Sequence, residues 1–138
     1  MAVDVNSLAN IGERSASDIL ELLARPFLPE AIQTRKIGGR EVAYVAINSV
    51  VARLNKAAGS WDWRIVSVDT APMALVRKGE LVDVMVTTVV GELSIPNLGV
   101  RQGIGTAVCE GNEDSAKSAA SDALKKAASL FGTPLDGG

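Results

Sequence analysis

The sequence predicts an α+β domain with a largely antiparallel sheet, its elements running β-β-α-β-β-β-α after an N-terminal helix. Helical spacing of apolar residues recurs at the start, middle and end of the chain. Between these stretches, strand-like alternation is broken by glycine and proline turns. Hydrophobic residues make up 47% of the 138 positions and charged residues 22%, which suits a chain that buries a core rather than staying disordered.

Taken in order, Ser15 or Ser17 starts a first helix carrying Ile19, Leu20, Leu22 and Leu23, which must end near Arg25 because Pro26 follows. Residues 31–36 and 41–45 read as two short strands joined around Gly38-Gly39. A second helix sets Ile47, Val50, Val51, Leu54 and Ala58 on one side, Arg53 and Lys56 on the other, and closes at Gly59. Residues 61–70 read as a strand with Trp61, Trp63 and Ile65 on one face, a spacing that favours core packing over base stacking. Arg77-Lys78-Gly79-Glu80 is a polar turn. In the strand over 81–95 the apolar face switches from Val82, Val84 and Val86 to Val89, Leu93 and Ile95, as a bulge near Gly91 or burial on both faces would produce. Pro96-Asn97 turns the chain into a strand over 98–109, where Gly103 and Gly105 read as a bend.

The closing helix is unusually small-sided. Ala116, Ala119, Ala120, Ala123, Ala127 and Ala128 let another backbone approach, while Lys117 and Lys125 share a face and Lys126 lies one step round. Asn112 or Ser115 can cap its start, and Gly132 before Thr133-Pro134 stops it. The boundaries are an N-terminal extension over 1–16, one domain over 17–132 and a flexible tail over 133–138.

Several functions are excluded or disfavoured. With no histidine and one cysteine, Cys109, the chain cannot build a zinc site, a triad with a histidine base or an internal disulfide, and it fits a reducing, cytoplasmic setting. No phosphate-binding loop, metal-ligand spacing, signal peptide or membrane span is present, so no cofactor, metal or catalytic residue is expected. The net charge of −2 argues against nucleic acid, but its distribution does not. Residues 35–64 carry six bases against Glu41 and Asp62, a net +4. Arg35, Lys36 and Arg40 flank the glycine turn and Tyr44 sits near them, its phenol open to a packing role or a phosphate or sugar contact. Together with Lys117, Lys125 and Lys126 these residues can clamp a phosphate backbone; the competing reading is a solvated face.

The ordered set of these features resembles the Rad-fifty-two-type single-strand annealing proteins. Residues 29–44 resemble the opening hairpin of that family, and residues 47–66 its next helix and strand. Gly103-Ile-Gly105 resembles its G-x-G strand, and residues 118–132, with Asp122-Ala-Leu-Lys-Lys-Ala and Phe131-Gly132, its closing helix. The resemblance covers residues 17–132. It implies an ATP-independent protein of homologous recombination and DNA repair that anneals single-stranded DNA, assembles into a ring and holds the strand in a basic groove without sequence preference. The groove residues it implies are Arg35, Tyr44, Lys125 and Lys126. Ser129 stands where well-known members carry a further base, and the lysine expected after the G-x-G strand has no counterpart. It implies a compact bacterial or phage member, or a trimmed core, acting in the nucleoid or host cytoplasm with a recombinase, nuclease or single-strand-binding protein as partner. The alternative is an oligomerising protein-interaction module without DNA binding, and a small-molecule enzyme comes a distant third.

Overall fold

The computed structural model describes residues 14–109 and 114–135. The N-terminal extension therefore lies almost wholly outside the described residues. Helix α1 (Ala16–Ala24) starts where the Ser15 hydroxyl accepts the Asp18 amide at 3.2 Å, and it ends as Arg25 turns extended before Pro26. A 3₁₀ turn (Pro29–Ala31) leads into β1 (Ile32–Ile37) and β2 (Arg40–Val45), then α2 (Ile47–Ala58). Strands β3 (Asp62–Arg77), β4 (Glu80–Ile95) and β5 (Gly99–Val108) precede α3 (Ser115–Ser129).

The element order is the predicted one and every strand pair is antiparallel, but the strands form two sheets. One is the β1-β2 hairpin and the other the β3-β4-β5 meander. Strand β3 runs seven residues past the predicted end at Thr70. It carries Pro72 because it is an edge strand, where a missing amide disrupts no ladder.

The core joins α1, α2, β4 and α3 through Ile19, Leu23, Val50, Leu54, Leu93 and Leu124. On the meander, α3 covers the face carrying Val89, Gly91 and Leu93, together with Gly103 and Gly105 of β5. This accounts for the apolar residues in the second half of β4, while Val86 is buried on the opposite face. Thr87, Val89, Leu93 and Ile95 lie under cover, whereas Leu81 and Met85 on the same face run beyond it and are exposed. The predicted bulge lies on the partner strand, between Ile65 and Ser67 of β3, opposite Gly91 and Val90. Gly91 itself is needed for another reason: the Trp63 ring lies where a Cβ would stand.

Gly103 and Gly105 are not bends. A Cβ on Gly103 would strike Ala123 O and Ala127 N, and one on Gly105 would strike Ala119 O and Ala123 N. The small face of α3 is thus seated directly on β5, backbone against backbone. The helix cap is Asp114, whose Oδ1 accepts the Lys117 amide at 3.1 Å; Ser115 instead turns toward Thr87, and Asn112 lies outside the described residues. At the other end Thr133 is 3% exposed and the Leu135 carbonyl accepts the Val45 amide at 3.0 Å. Residues 133–135, expected to begin a loose tail, are packed, because they close the free end of β2. Among the described residues no helix is long and apolar enough to cross a membrane.

Candidate nucleic-acid interface

The hairpin turns on Gly38 (φ 59°) and Gly39 (φ 81°), two positive angles that match a two-residue turn and fix the register of β1 on β2. Residues directly opposed in that register share a face. Gln33 pairs with Tyr44, Arg35 with Val42, and Ile37 with Arg40, so Arg35, Tyr44 and Arg40 lie on one side of the hairpin. Lys36 pairs with Glu41 on the other side.

Helix α3 brings the second half of the site. The Lys125 ammonium donates to the Val45 carbonyl at 3.1 Å and lies 5.4 Å from the centre of the Tyr44 ring. The Arg35 guanidinium lies 5.2 Å from the same ring. The phenol hydroxyl donates to Gln33 Oε1 at 2.9 Å, which fixes the ring that both cations share. Burial above all lowers the proton affinity of Lys125 below that of an ordinary lysine. Asp122 opposes that shift, while Arg35 and Lys126 add to it. Two cations therefore sit close enough to repel one another, a position that favours an incoming anion.

A groove of about 550 Å³ runs between the hairpin, β5 and α3, lined by Arg35, Thr106, Ser118, Asp122, Lys125 and Lys126 among others. Three bases against one acid make it net positive in a protein whose total charge is −2. Polar groups dominate its lining, as suits a phosphate chain better than a buried apolar ligand.

The structure thus brings together Arg35, Tyr44, Lys125 and Lys126 and puts Arg40 on the same face of the hairpin. It separates Lys36, which is on the opposite face, and Lys117, which lies outside the groove at the start of α3. The rest of the basic segment is employed elsewhere. Arg53 donates to the carbonyls of Leu23, Arg25 and Pro26 at the end of α1 and stacks on Phe27, 4.1 Å from its centre. Arg64 pairs with Glu92 across β3 and β4. Sequence reasoning missed Asp122, although it stands four residues before Lys126, the spacing at which helical side chains meet.

Cys109 directly follows β5 and lies beside Ser115, whose hydroxyl lies 3.3 Å from the sulfur, with Thr87 at 3.5 Å. These hydroxyls, Ser115 first, hold its thiol below the ordinary range. Among the described residues no cluster of His, Cys, Asp and Glu would hold a metal ion.

A family described as Rad52/22 family double-strand break repair protein matches the chain over residues 15–136. That span holds every element described above. No curated protein matches the chain.

Proposed function

The chain belongs to the Rad52/22 family of double-strand break repair proteins, and from that premise we propose that it holds single-stranded DNA without ATP and anneals complementary strands. The observation that carries this reading is the convergence of Arg35 and Lys125, ninety residues apart in sequence, on the ring of Tyr44. In this reading Arg35, Lys125 and Lys126 take phosphates, Arg40 extends the track toward the hairpin turn, and Tyr44 aligns the two cations. Lys36 and Lys117 stand off the track.

Annealing requires phosphates neutralised and base edges left free. Basic side chains do the first. Among the described residues no aromatic side chain lines the groove, and the Tyr44 ring beside it is already occupied by two cations, so bases are not captured by stacking. Phosphate contacts carry no base information, so binding is indifferent to sequence. Three contacts per protomer give a salt slope of about −2 on a single strand. That is weak for one subunit, and a ring repeating the groove along one strand multiplies it.

Self-association has its own supporting observation. The face of the meander turned away from α3 exposes Val100, Ile104 and Met73, with Ile104 57% exposed. The same face supports the second reading, an oligomerising interaction module without DNA.

Fluorescence anisotropy with labelled oligo-dT at two salt concentrations separates the two. Binding that weakens with salt, and that is lost when Lys125→Ala and Lys126→Ala are combined, supports the groove. Absence of binding at low salt favours the interaction module. Electron microscopy with and without the strand reads the assembly directly.

A further inference from the structure

Asp122 is the one acid among the described residues lining the groove, and a single oxygen of its carboxylate does two things. Oδ2 accepts the backbone amide of Thr106 at 3.1 Å and the ammonium of Lys126 at 2.9 Å. Its charge also favours the ammonium form of Lys125. Thr106 is available because β5 is an edge strand, whose outward amides have no strand partner. An oxygen anion held by an edge amide and one ammonium, with a second ammonium in electrostatic reach, has the surroundings that a phosphate oxygen would seek in this groove.

We propose that Asp122 is a built-in counter-ion that stands in for phosphate: it holds Lys126 in place while the groove is empty, and a DNA phosphate must take Lys126 from it. This rests on the groove being a DNA site. Asp122 is then a positioning residue, acting through Lys126. The exchange is feasible because the pair is weak, its side chains being 52% and 32% exposed. When the phosphate arrives Lys126 turns to it, and the carboxylate keeps the Thr106 amide, so β5 and α3 stay joined. The counter-ion thereby lowers the grip of each protomer without leaving Lys126 disordered.

The test is Asp122→Asn. The amide oxygen of asparagine still accepts the Thr106 amide, so the thermal midpoint should hold while the competing charge is gone. Oligo-dT should then bind about two- to fivefold more tightly per protomer, the range set by an exposed ion pair. The salt slope should stay near the wild-type value, because Lys126 meets a phosphate in both proteins. In a Lys126→Gln background the same substitution should gain much less, because there is no ammonium left to release. Should Asp122→Asn fold poorly, Asp122→Ser gives the same comparison with a hydroxyl acceptor.

If wild-type protein binds oligo-dT but Asp122→Asn binds no tighter, the counter-ion is refuted and the groove reading stands. An equal gain in the Lys126→Gln background also overturns it, since Asp122 would then act by general repulsion. If the wild type fails to bind oligo-dT at low salt, both readings fall.

Discussion

Replacing Gly105 by alanine should damage the fold and the groove together. The added Cβ would stand inside contact distance of Ala119 O, Ala123 N and Ala123 Cα, all backbone atoms of α3. No side chain can swing aside, so the helix must retreat from β5 by on the order of 1 Å to restore ordinary contacts. Overpacking of this kind costs about 1–3 kcal/mol, offset by less than about 1 kcal/mol from the stiffer unfolded chain. For a domain of this size that is a fall of about 3–10 °C in thermal midpoint. The same retreat stretches the Thr106–Asp122 hydrogen bond and draws Lys125 from the Val45 carbonyl, so oligo-dT binding should weaken as well. Differential scanning calorimetry and anisotropy on one preparation read both effects. Adding Ala123→Gly should rescue neither, because the obstructing atoms are backbone. A midpoint within 1 °C of wild type, or full rescue by Ala123→Gly, would refute the argument.

Three further outcomes follow from other parts of the molecule. Because burial lowers the proton affinity of Lys125 and phosphate favours its ammonium, oligo-dT affinity should fall as pH rises toward the range where an ordinary lysine loses its proton, and should begin to fall below that range. In the same window folding stability should gain from this residue, since the unfolded lysine keeps a proton that the folded one gives up; urea midpoints moving with affinity instead of against it would contradict the assignment, and Lys125→Arg should flatten the binding change. Ile104→Lys, on the open face of the meander, should leave the monomer within about 0.5 kcal/mol of wild type yet dissolve self-association in sedimentation velocity; intact assembly would remove that face as the joint. Asp114→Ala should cost about 1 kcal/mol through the lost cap on α3, with Asp114→Asn recovering most of it in urea unfolding.

Local chemistry made most of the fold legible. Pro26, Gly38-Gly39, Gly59 and Gly132 each stop or turn the chain where their backbone preferences require, so the element order was readable from punctuation and periodicity. The division into two sheets was not, because strand pairing beyond a hairpin depends on contacts distant in sequence. The role of Gly103 and Gly105 was half legible. The sequence displayed a strand with two glycines and a helix with a face of alanines, but nothing local says that each exists to seat the other. For the site, Arg35, Tyr44, Lys125 and Lys126 carried a signal as bases and an aromatic in a fixed order. Lys36 differed from Arg35 only by strand phase, which one register decides. Arg53 looked as free as the others; only the tertiary fold shows it closing the end of α1. Asp122 escaped because an acid was not sought in a basic groove.

The placement of Lys125 bears on why such a protein would assemble. A half-buried ammonium between two other cations is an unfavourable arrangement on its own, and the fold tolerates it by supplying the Val45 carbonyl and the Tyr44 ring. One of the remaining cations, Lys126, is occupied by Asp122. A single protomer therefore offers DNA a short track, partly neutralised from within, and an acidic body around it. Under the proposed function that weakness is useful only when grooves are repeated. Linked copies convert each further contact into an intramolecular one, so the strand is held overall while any one protomer can let go. Tight binding by an isolated monomer would defeat annealing, since each strand must stay mobile enough to find its complement. Grip and assembly are thus one property. A variant that remains monomeric with its groove intact should bind oligo-dT only weakly, however complete its set of cations.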